Sequence, residues 1–195
     1  MDLTERQSQL ADAALRIVAR SGLGALSFRA VASEDDCSLG SVQKAFPSKQ
    51  RMVAAAFTRL RDTSAPLPPG DPGRPNLRGW LVDLFIGVLP LDGPRRAAHR
   101  QGEVFAQVAL LDPDIAAAIA ESDSRLRGLI ASLVARGRAE GEIPAWVDPD
   151  IAAWAVWALA GGVASQLTYA PEPEDEVRAR LDVAIGALLG VAAPD

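Results

Sequence analysis

The sequence is short of reactive side chains. Its single cysteine, Cys37, excludes an intrachain disulfide and any zinc cluster built on cysteine, and it suits a reducing cytosol. Histidine occurs once, at His99, among arginines, where a solvated or capping role is the plain reading and a pocket-lining role the alternative. Neither a Ser/His/Asp nor a Cys/His arrangement is offered at a useful spacing, so no catalytic residue, metal site or cofactor is expected, and the chain is not read as an enzyme. Lysine is confined to Lys44 and Lys49. Long alternating β-branched runs are missing, which argues against strands. No basic segment leads into an apolar run at the N-terminus. No apolar stretch is read as long enough to span a membrane, so a cytoplasmic protein without a membrane partner is expected.

What is present is helix. Nearly half of the residues are apolar, enough for a substantial core, and Gly and Pro fall at intervals that suit helices, so the fold class is all-α. Thr4 to Gln7 forms a capping box, followed by Leu10, Ala13, Ala14, Ile17 and Val18 on one face, with Gly22 and Gly24 as the stop. Ser27 caps a two-turn helix carrying Phe28, Val31 and Ala32. Glu34 to Cys37 breaks it, and Ser38 caps a second short helix with Val42 and Phe46 as its apolar positions. Pro47 ends that helix, and Ser48 caps the next, from Lys49, with Met52, Val53, Ala56, Phe57 and Leu60 at helical spacing. Two short helices joined by a tight turn make either a helix-turn-helix, whose second member fits a DNA major groove, or an ordinary helical hairpin with a polar outer face. The arginines of the first helix, Arg6, Arg16 and Arg20, read as solvated charges.

The segment Ser38-Leu39-Gly40-Ser41-Val42, with Phe46-Pro47-Ser48-Lys49, resembles the DNA-binding domain of TetR-type bacterial transcriptional regulators. The resemblance runs from Glu5 to Leu60 and favours the helix-turn-helix. It implies a DNA-facing set of Ser27, Arg29, Ser38, Gly40, Ser41, Val42, Gln43, Lys44 and Lys49. Three positions depart from the family pattern: Gln43 and Ala45 stand where aromatic residues are usual, and Asp36 replaces the usual turn glycine.

After Asp62 comes TSAPLPPGDPGRP, a loop or boundary, so domains are expected at 1–62 and 63–195. Asn76 caps a helix from Leu77 to Leu89, and a second helix covers Arg95 to Leu111. Asp112-Pro113 and Asp148-Pro149 each open another, the first running to about Glu140 and the second to about Tyr169. The latter is apolar nearly all round and so must be covered on all sides. A last helix begins near Glu174. Four helices before the loop and five after it match the nine-helix TetR-type plan, and the second half resembles the choline-responsive subgroup in outline.

That resemblance implies an effector cavity, for which Trp80, Phe85, Arg100, Gln101, Phe105, Trp154, Trp157 and Gln166 are candidates; for any single aromatic among them, plain core is the competing reading. Several tryptophans suggest a cage for a cationic amine. The last two helices are expected to form a homodimer interface through Leu181, Ile185 and Leu188. Gly161-Gly162 lies inside a helix and is no phosphate loop.

The net charge of −5 divides unevenly. Residues 1–62 hold nine Lys and Arg against seven Asp and Glu, whereas residues 63–195 hold eleven against eighteen. The basic excess therefore sits with the helix-turn-helix. The expected function is a ligand-responsive repressor of a double-stranded operator. The alternative is a helical small-molecule-binding protein of the same fold in which DNA binding is weak or lost.

Overall fold

The structure, a computed structural model, describes residues 3–64 and 67–191. Among these it contains nine α-helices, one 3₁₀ turn and no strand. The helices are α1 (Glu5–Ser21), α2 (Phe28–Glu34), α3 (Leu39–Ala45), α4 (Lys49–Ser64), α5 (Leu77–Val88), α6 (Gly93–Ala109), α7 (Pro113–Ala139), α8 (Pro149–Tyr169) and α9 (Glu174–Leu189). Their ends follow the local capping signals. Thr4 and Gln7 exchange both capping-box hydrogen bonds, while Ser27, Ser38, Asn76 and Asp148 each accept from a backbone N–H of the following turn. The 3₁₀ turn, Leu23–Ala25, fills the gap between Gly22 and α2.

Two compact units result: Met1–Ser64 with Ala97–Ser122, and Ala65–Arg96 with Asp123–Asp195. These units divide the chain at the end of α4, within α6 and within α7. In the first unit α1 packs along α4, and the core of Leu10, Ile17, Val31, Val42, Phe46, Met52 and Phe57 also takes in Phe105 and Ile115. Phe57 and Phe105 meet edge to face, 5.6 Å between centroids. Arg59 clamps Asp12 through two hydrogen bonds of 2.7 and 3.1 Å, fastening α4 to α1.

The second unit is built on α5, whose Leu77, Trp80, Leu81, Leu84 and Phe85 are buried against α9 and the later part of α7. The Pro/Gly-rich stretch is a pinned loop rather than a loose tether; Ala65 and Pro66 lie outside the described residues. Arg74 bonds Glu140 at 2.7 Å, and Arg136 donates to the Pro72 carbonyl. Gly73 has φ +77, a backbone conformation that calls for glycine, and the Arg136 guanidinium lies over it, 2.7 Å from where a Cβ would stand.

The structure corrects one expectation about α8. At 21 residues and a mean hydropathy of 1.3 it is long and apolar enough to cross a membrane. A core or interface helix passes the same test. Here Ala152, Ala153, Val156, Ala160 and Leu167 face the second core, and α9 lies alongside. The opposite face is open: Ile151, Trp154 and Tyr169 are exposed.

Candidate functional site

The helix-turn-helix is held from behind by the first turn of α1. Arg6 pairs with Asp35 at 2.8 Å and donates to Ser41 Oγ at 3.3 Å, while Gln7 Nε2 donates to the Ala45 carbonyl at 3.0 Å. Both ends of α3 are thus set by α1. Further along α1, Arg16 and Arg20 converge on Glu34 at 3.0 and 2.8 Å. All three arginines therefore have internal carboxylate partners, where the sequence suggested only solvated charge. Arg20 first, then Arg16, donates to Glu34 and holds its carboxyl below the ordinary value of 4.5. The stability this pair contributes is present above that value and is lost as pH falls through the lowered folded one. Glu34 is half-buried but both arginines are exposed to solvent, which screens the pairs, so the effect is small.

The turn passes through Asp36 at φ +48, the left-handed region that glycine occupies without strain and that aspartate tolerates. Asp36→Gly removes both the strain and a negative charge beside α3. It is expected to leave the melting temperature unchanged or raised and to tighten DNA binding; weaker binding in a fluorescence-anisotropy titration would show that Asp36 has a positive role.

Of the nine proposed DNA-facing residues, Ser27, Arg29, Ser38, Gly40, Gln43, Lys44 and Lys49 are exposed. Ser41 is half-buried and engaged by Arg6. Val42 is a correction: it is fully buried in the first core, since the apolar position of a two-turn helix is what anchors it. The outward row of α3 is therefore Gly40, Gln43 and Lys44. A Cβ on Gly40 would meet nothing nearer than Ser38 Oγ at 3.9 Å, so the subunit itself does not require a glycine there. Arg29, Lys44, Lys49 and Arg51 are exposed and, among the described residues, have no carboxylate partner. Sequence reading missed Arg51. Its position in the first turn of α4, beside Lys49, was the available signal.

The effector candidates divide between the units. Arg100, Gln101 and Phe105 lie in the first, with Phe105 fully buried against Phe57. In the second, Trp80 and Phe85 are interior and Trp157 packs against the same cluster. Trp154 and Gln166 stand on the exposed side of α8, which removes Trp154 from any internal cage. The interface expectation needs a similar correction. Leu181 and Ile185 are buried within their own chain, because this face of α9 packs on α5; only Leu188 of the three reaches the surface.

A family model of the C-terminal domain of BetI-type transcriptional repressors matches residues 77–190, more than half of the chain. The chain belongs to the TetR family of transcriptional regulators. The HTH-type nicotine-responsive transcriptional repressor HdnoR of Paenarthrobacter nicotinovorans is 39% identical over 56 residues, a match spanning 29% of each protein. A transcriptional regulator from Rhodococcus sp. Rha1 is 26% identical, with a TM-score of 0.72 over 98% of this chain and 100% of that one. The multidrug-binding protein EbrR, solved with ethidium, is 25% identical, with a TM-score of 0.71 over 95% and 99% of the two chains. TetR-family membership accounts for the all-helical plan and for the exposed α3.

Proposed function

We propose that this TetR-family protein is a homodimeric repressor of a pseudo-palindromic DNA operator, released when a small molecule occupies its C-terminal domain. The observation that carries the reading is the outer face of the helix-turn-helix. It offers a bare α3 N-terminus at Gly40, base-reading side chains at Gln43 and Lys44, and, among the described residues, unpaired cations at Arg29, Lys49 and Arg51. Gln can pair bidentately with adenine, while cations at the margins suit phosphates. A two-fold pair of heads would read half-sites about one DNA turn apart. The reading places the protein in the cytoplasm with its operator and gives it no enzymatic step.

The test is anisotropy with duplex DNA flanking the protein's own gene, repeated across salt concentrations. Lys49→Ala should weaken binding to operator and random DNA alike and flatten the salt slope by about one unit, as expected when one phosphate is no longer neutralised. Gly40→Leu should fold normally, since the subunit leaves the space free, yet lose at least about tenfold in operator affinity because the added side chain holds α3 off the groove. If both variants bind like the parent, α3 is not the DNA-reading element.

A further inference from the structure

The capping box at the start of α1 has a second use. Gln7 accepts from the Thr4 N–H at 3.0 Å through Oε1, and that half of its amide completes the box. The other half crosses to α3, where Nε2 donates to the Ala45 carbonyl at 3.0 Å. A capping box asks only for the acceptor, and glutamate supplies it as well as glutamine does. The contact to Ala45 asks for a donor, which an ionised glutamate lacks. Glutamine meets both demands at once.

The short helix α3 has a physical need for that contact. It is seven residues long and buries Val42, with Phe46 buried just past its end. These two anchors are four residues apart and lie along one line, so they resist a roll about the helix axis poorly. The backbone ladder also stops abruptly. Phe46 turns extended, at φ −130 and ψ 117, and Pro47 has no N–H to offer the last carbonyls. Their partners come from outside the helix. From α1 come two fixed points: Gln7 at Ala45, and Arg6 at Ser41 Oγ, 3.3 Å away. Between them in sequence stand the exposed Gln43 and Lys44. A roll of about 15° carries a side-chain tip, about 5–6 Å from the axis, through about 1.5 Å. That is enough to spoil a two-pronged hydrogen bond to a base edge. Arg29, Lys49 and Arg51 stand on α2 and α4 and are not moved by it.

Resting on the reading that α3 is the DNA-reading element, we propose that Gln7 is a positioning residue for sequence recognition. Its amide fixes the rotation of α3 about its axis, so that Gln43 and Lys44 meet base edges. It carries no charge and adds nothing to the attraction for phosphates. Its effect therefore falls on the choice between sequences and leaves general affinity for DNA to the cations of α2 and α4.

The experiment uses the full chain. The parent protein first enriches a preferred duplex from a pool of random-sequence DNA. Anisotropy then gives its selectivity, the ratio of affinity for that duplex to affinity for the unselected pool. Gln7→Glu keeps the capping acceptor and puts an acid in the first turn of α1, where the helix dipole favours it, so the melting temperature should hold or rise. Gln7→Met keeps the length and adds no charge, but gives up the acceptor. What the two variants share is the missing donor to Ala45. Each should lower the selectivity at least about fivefold, the loss of one base contact. Gln7→Met should bind the unselected pool within about twofold of the parent. A repeat selection with either variant should return a motif with weaker base preference. Parental selectivity in either variant, equal losses on both DNAs included, overturns the positioning role and leaves the DNA reading intact. If the parent enriches no sequence, or if Gly40→Leu keeps the parental selectivity, the reading of α3 fails and the positioning role falls with it.

Discussion

Asp182→Ala is expected to lower the stability of the protein by roughly 2–4 kcal/mol, more than any other single carboxylate removal, because it strips the counter-charge from a buried arginine. Arg78 on α5 is 7% exposed and reaches Asp182 on α9 through Nε at 2.7 Å and through Nη2. A guanidinium cannot shed its proton, so no titration relieves the loss. The helices are also pressed together at this point: a Cβ on Gly186 would lie 3.2 Å from Arg78 Cζ and 3.1 Å from the Val191 carbonyl oxygen. Asp182 is itself partly exposed, which is why the expected cost lies toward the low end for a buried pair. Urea unfolding of Asp182→Ala measures it. Arg78→Met combined with Asp182→Leu should recover most of the loss, since an apolar pair of similar volume replaces a buried ion pair at little cost. A single-variant loss near ~0.5 kcal/mol would mark the pair as an ordinary screened surface interaction.

Ala158→Glu is expected to convert a dimer into a folded monomer. The outward row of α8 runs through Ile151, Trp154, Ala158, Gly161, Gly162, Ser165 and Tyr169, large at its ends and small in the middle. Beside it, α9 turns Ala179, Val183, Ala187 and Leu188 outward. A contiguous apolar face of this kind marks an interaction surface, and small residues at its centre let two helices approach closely. Facing copies of α8 and α9 across a two-fold axis would cover it. A carboxylate at Ala158 would have to be dried at the middle of that interface, at a cost of several kcal/mol. Because Ala158 touches solvent in the single chain, the fold should survive. Sedimentation should show the parent at twice its 20.5 kDa mass and the variant at that mass, with an unchanged melting curve for the isolated chain. Operator affinity should fall with dimerisation, since two heads held together bind far better than one. A variant that remains dimeric would move the interface elsewhere. Leu181→Glu would not give the same information, since Leu181 is interior and its substitution would disrupt the core.

What the sequence determined by itself was local. The capping box at Thr4 and Gln7, the serine caps at Ser27 and Ser38, the Asp-Pro pairs before α7 and α8, and the proline after Phe46 act within a single turn of backbone, and the helices begin and end where those signals stand. The motif from Ser38 to Lys49 is equally local, so the helix-turn-helix and the family were readable from it. Tertiary structure decided which partner covers each apolar stripe. Spacing shows that Leu181 and Ile185 share a face, but it does not say whether α5 or a second subunit lies against them; the chain packs α5 there and leaves the far side of α8 and α9 open. Phe105 reads equally well as a pocket wall or as core until Phe57 is found 5.6 Å away. The same holds for charge. Arg6, Arg16 and Arg20 look solvated in the sequence because their acids, Asp35 and Glu34, lie on or beside another helix. Capping is an interaction between neighbours in the chain, whereas burial and ion pairing join residues far apart in it, and only the packed structure brings those together.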